Sequence, residues 1–164
     1  MKLSEICEYN TKRIETKSLD VDNYVSTENM LQNKGGVIAA AKVPAEKAVE
    51  FRPGDILISN IRPYFKKIWL ADRCGGCSSD VLCLRALIGV DIVYLFYLLS
   101  QDSFFEYVMS GAKGSKMPRG DKAQIMNWEV KLPDISEQKR IGLFLKSIDD
   151  KIALNNRINH NLAA

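Results

Sequence analysis

Gly111-Ala112-Lys113-Gly114-Ser115-Lys116-Met117-Pro118-Arg119-Gly120-Asp121-Lys122 is followed, a little further on, by Val130-Lys131-Leu132-Pro133-Asp134-Ile135-Ser136-Glu137. The first segment is a glycine-punctuated basic loop. The second reads as a short strand closed by proline, with Asp134 or Ser136 placed to cap a helix that starts near Glu137. From there Ile141, Leu145, Ile148, Ile152 and Leu162 recur at three- and four-residue spacing, while Lys139, Arg140, Lys146, Asp150 and Lys151 fill the other faces. The spacing predicts one long amphipathic helix, and such a helix needs a partner. With Leu145 at heptad position a, Ile148 is d, Ile152 a, Asn155 d, Asn159 a and Leu162 d. Polar seam residues fix register and oligomeric state at a cost in stability; the alternative is a frayed end with its asparagines in water.

Working back from the loop, Ser103 to Met109 reads as a helix ended by Gly111, and Val93 to Leu99 as another capped by Asp91. Phe104, Phe105, Tyr107 and Val108 are core residues of this pair. Further upstream, Phe51-Arg52-Pro53-Gly54-Asp55 is a tight turn that delivers Ile56 to Ser59 as a buried strand. Arg62-Pro63 interrupts pairing before Phe65 to Ala71 resumes it, which suits an edge or a bulge and turns Asn60, Arg62, Tyr64, Lys66 and Lys67 outward. Gly75-Gly76 reads as a turn before a strand over Val81 to Leu87. Nearer the start, Lys2 to Tyr9 suits a short capped turn or helix, Tyr24 to Thr27 a short strand, and Gly35-Gly36 a turn before the apolar run Val37 to Val43. The expected fold is α+β: a globular mixed α/β domain over residues 1–133 and a coiled-coil-forming helix over residues 134–164.

At 164 residues, 46% of them hydrophobic and 26% charged, the chain can bury one sizeable core but not two full domains. The apolar stretch Val90 to Leu99 is broken by Asp91 and falls short of the roughly 20 residues a membrane span needs. The start, Met1-Lys2-Leu3-Ser4-Glu5, lacks the apolar core of a secretory signal, so a cytoplasmic location is the expectation. Net charge is +3, yet Arg62 to Lys67 and Lys113 to Lys122 each carry +3, which leaves −3 for the rest of the chain. Positive charge gathered on a near-neutral chain fits a phosphate-facing surface; scattered lysines on solvated loops are the other reading.

Four cysteines, Cys7, Cys74, Cys77 and Cys83, include one Cys-x-x-Cys pair. A structural zinc site wants four ligands at matched spacing, but the only histidine, His160, lies in the distal helix, so no metal site is expected. A cysteine nucleophile would need an activating base nearby, which the same count disfavours.

Phe51 to Ser59, then Met117 to Lys122, then Leu132-Pro133 leading to Glu137-Gln138-Lys139-Arg140-Ile141, then Ile148-Asp149-Asp150-Lys151-Ile152 with Asn155 to Ile158, together resemble the DNA specificity subunit of type I restriction-modification systems. The resemblance covers essentially the whole chain, and its most specific parts are the proline-to-helix junction and the stalk. It implies target-recognition domains, each followed by a long helix, with two such helices packed antiparallel as a spacer. This chain has one of each and is about half the usual length. A half subunit that pairs with its own copy and a longer chain cut at the first spacer helix both fit. The resemblance also implies a non-catalytic chain without a bound cofactor. S-adenosylmethionine would belong to a modification subunit, and ATP-driven cutting to a restriction subunit. In keeping with that, the sequence has no Gly-rich nucleotide loop and no Asn-Pro-Pro-Tyr-type methyltransferase motif.

Double-stranded DNA is then the expected ligand. Lys113, Lys116 and Lys122 suit phosphates, Arg119 suits a base edge, and Asn60, Arg62, Tyr64, Lys66 and Lys67 form a second surface. An ion pair from Arg119 to Asp121 or Glu129 is the structural alternative. For the chain as a whole, the competing reading is a coiled-coil scaffold protein whose basic loops serve only solubility. In either reading Ile141, Leu145, Ile148, Ile152, Asn155, Asn159 and Leu162 form the dimer or spacer seam.

Overall fold

Ile56-Leu57-Ile58-Ser59 is the strand around which the domain is built, because apolar cores cover both of its faces. The computed structural model describes residues 1–45 and 47–162. Ile56 and Ile58, with Leu82 and Leu84 opposite them, point into one core with Leu3, Leu95, Leu99, Phe104, Phe105 and Ile125. Leu57, Val81 and Cys83 point the other way, to Phe51, Met30, Val49 and Cys77. Successive side chains of a strand face opposite sides, so a strand buried on both must read as a continuous apolar run.

The strands are β1 (Cys7–Tyr9), β2 (Arg13–Glu15), β3 (Tyr24–Val25), β4 (Lys47–Phe51), β5 (Ile56–Ser59), β6 (Ile68–Leu70), β7 (Gly75–Cys77) and β8 (Val81–Ala86). One antiparallel sheet has the order β1-β8-β5-β6, and a second has the order β2-β4-β7-β3 with β3 and β7 parallel. The Pro53-Gly54 turn carries the chain from one sheet to the other, with Gly54 at a φ of 91°. Asp55, buried behind that turn, accepts both a 2.8 Å and a 2.7 Å bond from the Arg85 guanidinium. Such a fork-to-carboxylate pair locks the turn onto β8.

Helices α1 (Ile92–Leu99) and α2 (Asp102–Ser110) cover the first sheet, followed by the short α3 (Lys122–Met126) and by α4 (Ile135–Leu162). The expected mixed α/β domain with a long C-terminal helix is therefore what the chain forms. Asp91 caps α1 by accepting from the Tyr94 N–H at 2.9 Å. Asp134 caps α4 by accepting from the Ser136 and Glu137 N–H groups at 2.9 and 3.0 Å. The final residues of the expected helix, 163 and 164, lie outside the described residues.

Two sequence expectations are corrected. Gly75-Gly76 is not a turn but most of β7, flanked by β4 and β3. A Cβ on Gly75 would lie 2.1 Å from the Asn23 carbonyl oxygen and 2.6 Å from the Phe51 ring, so glycine serves close backbone approach here. Val130 to Pro133 forms no extended strand. Val130 donates to the Met1 carbonyl at 2.9 Å and Lys2 bridges Glu129, after which the chain start turns into a 3-10 turn and Pro133 has no N–H to offer.

α4 leaves the domain by packing on α1, and only Gln138 and Gly142 of it are buried. Gln138 accepts from the Asp91 N–H at 2.9 Å and donates to the Pro133 carbonyl at 2.8 Å, which stitches the helix start to the cap of α1. One turn further, a Cβ on Gly142 would come within 3.0 Å of the Tyr94 nitrogen, so the two helices meet closely there. Tyr97 donates to Asp149 at 2.7 Å, and every described residue from Asp150 onward is exposed.

Candidate nucleic-acid interface

The loop after α2 and the segment after β5, two separate basic stretches in the sequence, form one seam in the fold. Arg62 donates its N–H to the Pro118 carbonyl at 2.8 Å, and Ile61 bridges Arg119. Lys113 and Arg119 exchange N–H···O bonds of 3.0 and 2.9 Å, which closes the loop on itself, with Gly114 at a φ of 98° near its tip. A third segment joins from the other side: Asn33 and Lys34 donate to the Phe65 and Lys66 carbonyls, both at 2.9 Å.

Asn33, Lys34, Arg62 and Lys66 are the non-glycine residues with positive φ among the described residues, at 54°, 62°, 50° and 51°. All four lie on this seam. The left-handed region costs an L-residue roughly 1–2 kcal/mol, so holding four such residues together needs surroundings that over-determine the backbone.

The side chains fall into distinct roles. Asn60, expected to point outward, is buried: its side-chain amide donates to the Gly120 carbonyl at 3.1 Å, and its main-chain carbonyl accepts from the Gly120 N–H at 3.1 Å. This corrects the expected outward orientation, because the side chain that follows β5 turns inward to hold the basic loop. Arg62 is half-buried. Tyr64 is exposed and rests edge-on against Phe65 with ring centroids 4.7 Å apart. Lys67 donates to the Thr27 carbonyl at 2.6 Å and lies over the Phe65 ring at 5.8 Å; burial, then the Arg62 charge, lowers its pKa.

Acidic groups hold Lys34, Lys66, Lys113 and Arg119 in place. Lys66 lies 3.0 Å and Lys34 3.3 Å from one carboxylate oxygen of Asp102, and these two bonds hold its carboxyl below the usual range. Asp121 caps α3 by accepting from the Ala123 and Gln124 N–H groups, and Lys113 lies 3.3 Å from its other oxygen. The Gln124 N–H, with the Lys113 contact next, lowers its pKa. Arg119 pairs with Asp80 at 3.0 Å, not with Asp121 or Glu129. Lys116 and Lys122 are exposed. Asp80, Asp102 and Lys34 were absent from the sequence reading. The Gly35-Gly36 turn marked the neighbourhood of Lys34, but nothing local signals contacts made across the fold.

The arrangement can place several ammonium groups and one guanidinium fork against an anionic polymer. Among the described residues no group of three or more His, Cys, Asp or Glu side chains is placed to hold a metal ion. Cys74 is exposed and Cys77 buried, both as free thiols. No described helix is long and apolar enough to cross a membrane.

A second feature lies along the stalk. Ile141, Leu145, Ile148 and Ile152 line a groove of about 870 Å³ between α4, the far end of α1 and the Asn33–Gly35 turn. Beyond it, Asn155, Asn159 and Leu162 continue the same stripe in solvent. Leu143 and Leu154, outside the expected seam, are exposed on a different face of the helix, and Ile158 borders the seam one turn before Leu162.

This architecture is shared. The HsdS subunit from Thermoanaerobacter tengcongensis matches with a TM-score of 0.72 at 24% identity, over 96% of this chain and 43% of that one. The type I restriction-modification S subunit from M. genitalium matches with a TM-score of 0.65 at 16% identity, over 93% of this chain and 39% of that one. The model of the type I restriction modification DNA specificity domain matches residues 1–164, and the chain belongs to that family. Among curated relatives, the HindI specificity subunit of Haemophilus influenzae is 25% identical over 150 residues, which is 85% of this chain and 32% of the relative. The MjaVIII specificity subunit of Methanocaldococcus jannaschii is 29% identical over 136 residues, 82% of this chain and 30% of the relative. The matches thus span about a third or less of the curated relatives' length.

Proposed function

We propose that this chain is a non-catalytic, sequence-specific DNA-binding module of a type I restriction-modification system. It reads one half of a split target on duplex DNA and directs the modification and restriction subunits to it. The observation that carries this reading is the hydrogen-bonded seam in which the Asn33–Gly35, Ile61–Lys67 and Lys113–Lys122 segments present their cations together. Lys66, Lys67, Lys113, Lys116 and Lys122 meet phosphates, Arg119 meets a base edge, and Arg62 and Tyr64 flank it. Lys34 joins the phosphate-binding set because it shares Asp102 with Lys66. S-adenosylmethionine and ATP chemistry reside in the partner subunits. The stalk, through Ile141, Leu145, Ile148, Ile152, Asn155, Asn159 and Leu162, pairs with an equivalent helix and so sets the distance between the two half-sites.

The test is co-purification with the modification subunit, followed by methylation mapping of DNA exposed to that complex and S-adenosylmethionine. Methylation at one split motif that disappears without this chain supports the reading, and a palindromic motif points to a dimer of two copies. A complex that methylates without sequence preference would overturn it in favour of a scaffold role.

A further inference from the structure

We propose that Asp80 is a positioning residue that aims the Arg119 guanidinium at a guanine in the half-site; the proposal rests on the DNA-reading role given above. Three observations lead to it. First, the Arg119 backbone is held on both its N–H and its C=O by Lys113, at 2.9 and 3.0 Å, so the side chain departs from a fixed point. Second, the Asp80 backbone is also held, its carbonyl accepting from the Asn60 N–H at 2.9 Å and its N–H donating to the Ser78 hydroxyl at 3.3 Å. The Asp80 side chain takes no part in holding its own turn and instead meets Arg119 Nη1 at 3.0 Å. Third, that contact engages one end of the fork. Nε and Nη2 of Arg119 have no partner among the described residues, and the side chain is about half exposed.

An arginine tethered at its root and at one corner of its fork loses little further freedom when it binds, unlike the exposed Lys116, which has no ion-pair partner among the described residues. The open Nε and Nη2 edge carries two parallel donors. That pattern matches the O6 and N7 acceptors of guanine in the major groove, the base edge that arginine reads in bidentate fashion. A carboxylate facing the same groove repels phosphates and by itself weakens binding to any DNA. Its presence beside the fork is accounted for by orientation rather than by affinity.

The test is selection from duplexes with a randomised central block, using the full chain alone and in its co-purified complex, with wild type, Asp80→Ala, Asp80→Asn, Arg119→Ala and the Asp80→Ala/Arg119→Ala double variant. Wild type selects a motif containing guanine. Arg119→Ala loses about 5- to 150-fold of discrimination at that base pair. Asp80→Ala relaxes the same position and no other, while binding to scrambled duplex stays equal or tightens. Asp80→Asn, which keeps shape and one acceptor but no charge, falls between wild type and Asp80→Ala. The double variant matches Arg119→Ala alone, as expected if Asp80 acts through Arg119. Helical circular dichroism checks folding, and if Asp80→Ala does not fold, Asp80→Asn decides.

An Asp80 variant that tightens binding to every sequence equally would identify a screening carboxylate and overturn the proposal. So would an unchanged selected motif. If wild type selects no motif at all, the DNA-reading role fails and this inference falls with it, an outcome distinct from the loss of the Asp80 effect alone.

Discussion

Asn60 donates its side-chain amide to the Gly120 carbonyl at 3.1 Å and accepts a main-chain bond back from the Gly120 N–H at 3.1 Å. This two-way bond pins the end of β5 to the end of the basic loop. A Cβ at position 120 would lie 2.7 Å from Asn60 Oδ1, so the pair is also a steric fit. Asn60→Ala leaves a buried carbonyl without its donor and is expected to cost about 1–3 kcal/mol in chemical denaturation. Amide exchange over residues 111–120 should accelerate more than exchange in β5 or β8. Uniform acceleration across the domain would argue against a local clasp.

Much of this fold is legible in the sequence. Helices α1, α2 and α4 follow from periodicity and caps, and Ile56–Ser59 and Val81–Leu84 from unbroken apolar runs. The polar, branched stretch Lys12 to Tyr24 suits loop and edge strand, and β2 forms there at the edge of its sheet, whereas β1 and β4 are missed because what defines them is pairing with distant segments, which no local pattern reports. Gly75-Gly76 misled because glycine marks both turns and close approaches, and only the position of Asn23 and Phe51 decides between them. The helix α3 is not legible because its five residues, Lys122–Met126, are too few to show a periodic pattern. In the seam, charge located the two basic segments, but the burial of Asn60 and the pairing of Arg119 with Asp80 depend on the topology that brings them together.

Lys66 joins a left-handed backbone to an ion pair, so stability and DNA affinity should part company there. Lys66→Gly relieves a φ of 51° and gives up a contact to the exposed Asp102. A left-handed L-residue costs about 1–2 kcal/mol, while water screens the ion pair to the exposed Asp102, so the variant should be no less stable than wild type. Its DNA affinity should fall on all sequences alike, with the slope of log K against log salt reduced by about 1. Arg119→Ala should instead cost about 1–3 kcal/mol at one base pair, and equal losses on specific and random duplexes would remove its base-reading role.

The cysteines give a prediction free of DNA. Cys74 is exposed, whereas Cys7, Cys77 and Cys83 are buried. Burial, with Glu8 adding to it, pushes the Cys7 thiol up to about 12. Burial and then Asp55 push Cys83 to about 12, and burial raises Cys77 well above its ordinary value. Native protein should take one alkylating adduct by intact mass at neutral pH, and unfolded protein four, one for each cysteine. The sign of the pH effect follows from the unfolded chain, where thiols ionise near 9 while the folded state keeps its protons. Stability from these groups is complete below about pH 9 and is lost as pH rises towards about 12. The loss should approach about 1.4 kcal/mol per pH unit for each thiol. Cys83→Ala should shrink that slope by about one proton, measured by denaturation at a series of alkaline pH values.

The stalk should fail in a way that separates pairing from folding. Ile148 lies on the exposed stripe beyond the last buried residue, Gly142, and near the Tyr97–Asp149 bond. Ile148 lines the groove against α1 yet is 39% exposed, so an aspartate there can still reach water in the monomer but meets an apolar seam in a paired helix. Ile148→Asp should therefore leave the unfolding midpoint of the isolated domain nearly unchanged while weakening helix pairing by about 3 kcal/mol or more, roughly two orders of magnitude in Kd. Light scattering over a dilution series reads this as a shift from dimer to monomer mass at concentrations where wild type stays paired. Leu154→Asp, on the other exposed face, serves as the control. If Leu154→Asp lowers the mass and Ile148→Asp does not, the seam runs along Leu143 and Leu154 instead. A wild-type chain that is monomeric throughout would place the pairing helix outside this sequence, in a longer form of the same chain or on another chain.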